Sequence, residues 1–404
     1  MSARGPFLRS TAGQFQTSAQ AIAVSVRRRL VDDDSDTSPA GVAAAVRREP
    51  GAALLGERTL RLVSERLTAE FGGAGTLAPL LAQPGVTDVL VNGSEVWIDR
   101  GAGLCRAAVD VGGPTEVRRL AQRLAAAGGR RLDDASPCVD VQLPDGTRFH
   151  AVLPPVAQGG PYLSFRTFQC RGLTVERLVA CGTLTADSAD LLAGIVAARL
   201  PYLITGGTGC GKTTVLAALL ALVPPHERIV LVEDAAELRP GHPHVVALQA
   251  RTSNVEGAGT VTLRDLVRQA LRMRPDRLVI GECRGAEVVD LLGALNTGHD
   301  GGAATLHANT PADVPARLEA LGLLGGVPRA ALHAQVGAAL RVVIHLRRVG
   351  GARVVDEICL LGVGAGRLVR AVPAWRRSAG PQPAAGELAE LLSNRCGLTA
   401  DSKS

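Results

Sequence analysis

Lysine is almost missing from this chain. Of 44 Lys and Arg residues among 404, only Lys212 and Lys403 are lysines, and the other 42 are arginine. Aromatic residues are scarce as well, at 2%. The cores must therefore be built from Leu, Val and Ala, and there is little material for stacking unpaired bases. That scarcity argues against a nucleic-acid partner, although the formal net charge is +6. Solvated helix faces and an anionic ligand account for the excess charge. The eight cysteines contain no C-x-x-C pair, and the eight histidines add no zinc spacing. A disulfide framework and a zinc site are thus disfavoured, and free thiols in a reducing cytoplasm are expected. No stretch reaches the roughly 18 apolar residues of a membrane span. The short apolar run at 21–26 is followed, not preceded, by Arg27-Arg28-Arg29, the wrong order for a secretory signal.

What is present gathers around the one lysine inside the body of the chain. Gly206-Gly207-Thr208-Gly209-Cys210-Gly211-Lys212-Thr213 fits G-x-x-x-x-G-K-[ST], and Thr214 follows. A coding bias that left arginine nearly everywhere else keeps a compact ammonium where a phosphate loop needs one. The flanks agree: an apolar strand at 201–205, and a helix at 212–222 stopped by Pro224 and Pro225. Glycines let the backbone wrap a phosphate with its N–H groups, and the helix N-terminus adds partial positive charge. Lys212 is expected on the β- and γ-phosphates, and the Thr213 hydroxyl on Mg²⁺. Residues 206–214 form the candidate nucleotide-binding set, with ATP and Mg²⁺ as cofactors.

Two further apolar strands end in acids: 229–233 with Glu233, then Asp234 and Glu237, and 278–281 with Glu282. Ligands of open α/β sheets bind at the carboxyl ends of strands. If both strands flank the phosphate loop, one acid can organise Mg²⁺ through water and the other can orient the attacking water.

Along the chain, 1–50 reads as a weakly ordered extension, with a short helix possible near 40–48. Residues 51–168 alternate helices and antiparallel hairpins, one turning at Asn92-Gly93, as in a small α+β domain. Residues 169–182 read as a linker. Residues 183–375 alternate strands and helices as a parallel α/β sheet demands. Residues 376–404 are rich in Pro, Gly and Ala at their start and read as a disordered tail, with a helix possible at 386–392.

The ordered set of motifs resembles the type II/type IV secretion and pilus ATPase superfamily. It covers roughly residues 60–345. The segments are 232–238 (its Asp box), 266–277, Gly281-Glu282-Cys283-Arg284-Gly285 (its atypical Walker B), 296–309 (its His box), 88–92, and 136–148 with Asp140. The TadA/CpaF branch, which serves tight-adherence pili and conjugation-associated machines, is the most similar. The resemblance implies a RecA-like P-loop ATPase domain with a smaller N-terminal domain, hydrolysing ATP as a cytoplasmic homohexameric ring. That ring would sit at the inner face of the cell membrane through an inner-membrane platform protein. It implies a water-activating role for Glu233, a Mg²⁺-shell role for Glu282, and a sensing role for His307, with His299 the weaker choice. A lone histidine is more often a satisfied core residue, and only the box singles out His307. Arg148 and Arg166 match arginines that reach the nucleotide in the manner of an arginine finger. Arg264, Arg268 and Arg272 share one helix face, free for a subunit interface or for the nucleotide. The rival expectation is a DNA-translocating RecA-superfamily ATPase of conjugal transfer, with DNA-stimulated hydrolysis.

Overall fold

The computed structural model of the protein describes residues 22–26, 29, 39–52, 55–101, 103–143, 145–167, 173–251, 259–298 and 300–401. The chain divides into two compact units, Met1–Gln169 and Cys170–Ser404.

The first unit opens with helices α1 (Pro39–Arg48) and α2 (Glu57–Gly72). Then come β1 (Asp88–Asn92), β2 (Glu95–Asp99), β3 (Leu104–Ala107), α3 (Pro114–Ala127), β4 (Cys138–Gln142), β5 (Arg148–Val152) and β6 (Tyr162–Arg166). The strands form one sheet in the order β3-β2-β1-β6-β5-β4, and every pairing is antiparallel. Burial alternates along them, as in β4 and β6, so one face is packed and the other is free. On the packed face Phe149 and Phe165 sit opposite each other with ring centroids 5.0 Å apart. Val117, Leu120, Ala121 and Leu124 of α3 cover that face at helical spacing. Gly93 takes a φ of 65°, the left-handed turn that the Asn-Gly pair allows.

The reading of 1–50 as weakly ordered is corrected over its described part. Val42 and Val46 of α1, four apart, are fully buried and share a small core with Ile22, Val26 and Leu67. The Ser- and Asp-rich segments around them hid this stripe.

The second unit contains α4 (Val175–Ala180), α5 (Ala186–Ala197), β7 (Tyr202–Gly206), α6 (Lys212–Leu220), β8 (Ile229–Glu233), β9 (Val245–Gln249), α7 (Leu263–Ala270), β10 (Arg277–Cys283), α8 (Glu287–Leu295) and β11 (Ala303–Leu306). It continues with α9 (Val314–Leu324), α10 (Arg329–Ala339), β12 (Val342–Val349), β13 (Ala352–Val363), β14 (Val369–Arg376), β15 (Gly380–Pro381) and α11 (Ala385–Asp401). The sheet order is β15-β14-β13-β12-β7-β11-β10-β8-β9. From β12 to β9 the pairings are parallel, and β13 to β15 extend the sheet antiparallel. Alternate residues feed two cores: Ile204, Leu231 and Val279 on one side, Leu203, Val230 and Ile280 on the other. Helices on both faces make β7, β8 and β11 buried throughout.

Two boundaries are corrected here. Part of the expected linker is α4, which Thr174 caps by accepting the Arg177 N–H and which buries Leu178. Most of the expected tail is α11. Leu388, Leu391 and Leu392 recur at helical spacing, and Leu388 is buried in the core. The short helix possible at 386–392 is part of this longer one. Among the described residues no helix is long and apolar enough to cross a membrane.

Candidate active site

The loop between β7 and α6 starts in a tight place. A Cβ on Gly206, where φ is 143°, would lie 2.3 Å from the Leu346 carbonyl oxygen and 2.7 Å from Cys210 Sγ. Only glycine fits. Gly209 and Gly211 hold φ of 70° and 96°, and α6 begins one residue later at Lys212. Gly207 and Thr208 are exposed at the tip, Cys210 is buried, and Thr213 and Thr214 are half-buried in the first turn of α6. Lys212 is only 8% exposed. Its Nζ donates to the carbonyls of Gly206 (3.0 Å) and Gly207 (3.1 Å), and both ring nitrogens of His307 lie 3.4 Å from it.

The sheet order revises the placement of the acids. β8 and β10 do not flank β7; β11 lies between β7 and β10. That inserted strand leads directly into His307. His307 Nε2 approaches Glu282 Oε1 to 2.5 Å. The approach lacks hydrogen-bond alignment, and Oε1 has no hydrogen-bond partner. Glu282 Oε2 accepts from Arg284 at 2.5 Å. Burial, then the Lys212 cation, hold the His307 pKa below its usual value, against the pull of Glu282. Lys212, His307, Glu282 and Arg284 thus form a continuous polar chain across three strand ends.

Glu233 ends β8, next to β10. A Cβ on Gly281 would come within 2.8 Å of Glu233 Cγ, so the glycine before Glu282 makes room for the other acid. Glu233 Oε1 accepts the backbone N–H groups of Glu237 (3.0 Å) and Leu238 (2.9 Å). Its Oε2 is buried without a hydrogen-bond partner. Burial pushes this carboxyl up to about 7, against the two backbone hydrogen bonds. A buried carboxyl with one free oxygen, titrating near neutrality, is equipped to take a proton.

Arg148 and Arg166 face each other across β5 and β6 in the first unit. Arg148 Nη2 lies 3.7 Å from Asp140 Oδ2, and Asp88 is the β1 partner of Arg166. Of the arginines on α7 and beyond, Arg264 and Arg268 both donate to Asp290 of α8, at 2.6 and 3.1 Å. They tie two helices together within the unit. Arg272 donates to Gln269. His299 lies outside the described residues. Sequence reasoning missed Thr305, whose hydroxyl donates to the Gly281 carbonyl at 2.6 Å, and His345, which bonds Thr205 at 2.9 Å. Thr305 lies inside the 296–309 segment without being singled out there, and no motif marks His345, which sits in the middle of β12.

Residues 70–372 match the family described as Type II/IV secretion system protein. The chain belongs to that family. Among its relatives, the putative conjugal transfer protein Rv3659c of Mycobacterium tuberculosis H37Rv is 54% identical over 350 residues, spanning 85% of this chain and 99% of that protein. The type IV secretion system protein PtlH of Bordetella pertussis is 31% identical over 316 residues, with 69% and 92% covered. Among solved structures, the pilus retraction motor PilT with bound ADP superposes with a TM-score of 0.52 at 21% identity, over 72% of this chain and 83% of that one. That likeness bears on the fold, which this type II/IV secretion system protein shares.

Proposed function

We propose that this type II/IV secretion system protein is a Mg²⁺-dependent ATPase that powers a secretion or pilus machine as a cytoplasmic ring, a hexamer in the reading carried from the resemblance. The observation that carries the reading is Glu233: a buried carboxyl with a free oxygen, one strand from the chain that joins Glu282, His307 and Lys212. Lys212 already sits under loop carbonyls, its ammonium available to β- and γ-phosphate oxygens. Glu233 orients and deprotonates the attacking water. The hydroxyl of Thr213 and the unbonded Oε1 of Glu282 are oxygen donors that suit a hard cation. Mg²⁺, when bound, supplies neutralisation of the phosphate charge. His307, neutral and between Lys212 and Glu282, reads whether the γ-phosphate position is filled. For Arg148 and Arg166 the proposed role as cations on the nucleotide rests on the resemblance alone. The same holds for the TadA/CpaF branch and for association with the inner face of the membrane through a platform protein.

The test is ATP turnover of the full chain against Lys212→Ala. Turnover is expected to fall by a factor of about 100 or more; near-normal turnover would overturn the reading. The conjugal-transfer name of the M. tuberculosis relative favours DNA translocation as the second reading. Adding single-stranded DNA separates the two, since a translocase is strongly stimulated by it and loses that stimulation as salt rises.

A further inference from the structure

The two ladders that hold β10 both give out just before Glu282. The pairing with β8 ends at Ile280, opposite Val232. On the other side Ile280 is opposite Ala304 of β11, and the next pair is Cys283 with Leu306. Three steps along β10 therefore match two along β11, and the surplus residue makes a β-bulge at Gly281-Glu282. The bulge decides which side of the sheet Glu282 serves. Along an even strand Glu282 would share the side of Ile280, whose core is filled by Leu266 and Val267 of α7 and Leu291 of α8. Cys283 takes that side instead, buried in the same core as Ile280 although three residues away. Glu282 is thereby turned to the opposite side, where Val215, Leu216 and Leu219 of α6 pack behind the phosphate loop.

A bulge built on glycine needs a hold from outside. Gly281 has no side chain to pack, and the space it leaves is taken by Glu233. Its carbonyl is gripped from β11, where the Thr305 hydroxyl donates to it at 2.6 Å. Thr305 is only 2% exposed and stands opposite Ile204 of β7, so its own backbone is fixed beside the strand that leads into the loop. The Gly281 carbonyl and the Glu282 N–H belong to one planar peptide group. Gripping the first sets the plane of the second, and with it the direction in which the Glu282 side chain leaves. The ladder fixes Ile280 and Cys283; the hydroxyl fixes the peptide between them. We infer that Thr305 is a positioning residue for catalysis, which locks the bulge that turns Glu282 toward the phosphate loop. The inference rests on the ATPase reading above, in which Glu282 is an oxygen donor to Mg²⁺, and deepens it by giving work to a buried hydroxyl that acts through Glu282.

The experiment is ATP turnover, its Mg²⁺ dependence and metal-free ADP affinity of the full chain and four variants, with thermal melts alongside. These are Thr305→Val, Thr305→Ser, Glu282→Gln and the double variant Thr305→Val with Glu282→Gln, the slow ones read in single-turnover mode. Thr305→Val keeps the shape and removes the donor. It is expected to lower kcat about 10-fold and to raise the Mg²⁺ needed for half-maximal turnover about 3-fold or more, with ADP affinity within about 2-fold of wild type. Thr305→Ser, which keeps the hydroxyl, is expected to stay within about 3-fold of wild type in kcat. The double variant is expected to be no slower than Glu282→Gln alone, as for groups acting as one unit. Wild-type kcat in Thr305→Val would overturn the proposal, as would an unmoved Mg²⁺ dependence. So would a Ser variant that loses as much kcat as Val, or losses that add in the double variant. If Thr305→Val does not fold, Thr305→Ala against Thr305→Ser decides: equal kcat in the two overturns the proposal, and loss only in Ala supports it. Absence of Lys212-dependent turnover in the wild type would instead remove the ATPase reading.

Discussion

The six-stranded sheet of the first unit keeps one face free, while the central strands of the second are covered on both. In the first, polar and apolar residues alternate, and charged side chains such as Arg148 and Arg166 sit on the sheet without cost to a core. In the second, β7, β8 and β11 have no free face, so chemistry is confined to the carboxyl ends, where backbone leaves the sheet. There one of the acids is buried and Glu282 is half-buried. Glu233 is 3% exposed, and its unusual proton affinity comes from that burial. An open sheet tolerates charge; a covered one concentrates it at strand ends and makes it reactive.

The contrast can be broken first by placing a charge in each sheet. Leu231→Asp, in the middle of β8 and fully buried, is expected to cost about 4 kcal/mol or more and to abolish the cooperative melt of the second unit. Glu233→Gln comes next. The amide oxygen can still accept from Glu237 and Leu238, so the fold should hold, while kcat should fall about 100-fold. Its pH behaviour sharpens the point. A carboxyl raised from 4.5 to about 7 favours its neutral form in the folded protein, so stability falls as pH rises through that window. Glu233→Gln should therefore melt higher than wild type at pH 8, by on the order of 3 kcal/mol at most, with the gap closing near pH 4. In the wild type, turnover should rise with pH through about 7, and an unchanged profile in the Gln variant would remove Glu233 as the base. Arg148→Ala is smaller: about a 10-fold loss in kcat with little change in ADP affinity, and equal losses in both would deny it a transition-state role. Smallest is Ser164→Asp on the free face of β6, expected within about 0.5 kcal/mol of wild type in a thermal melt. A large loss there would mean that this face is covered after all.

Local signals made most of the fold legible. The phosphate loop, the Asn-Gly hairpin and the strands at 229–233 and 303–306 each announce themselves by pattern. What was not legible was non-local. Nothing in the run leading to Glu282 says that β11 will slip between it and β7, and that insertion is what brings His307 between Lys212 and Glu282. Strand β9 was missed because it is a half-exposed edge preceded by His and Pro residues. Helix α10 was missed because its Ala-rich sequence has a weak apolar period. His345 lies in a plain apolar strand, and its bond to Thr205 joins residues 140 apart in sequence.

Helix α11 has a consequence for how the molecule is made. Leu392 packs against Gly194 of α5, and Arg395 donates to the Arg199 carbonyl. The earliest helices of the second unit are therefore sealed by nearly its latest residues. Because a ribosome releases the N-terminal end first, the first unit can complete its sheet during translation. The second waits with an open seam until residues 385–395 have emerged. A nascent chain paused before that point would hold a phosphate loop whose supporting core is still unsealed, a vulnerable stage for chaperones to guard.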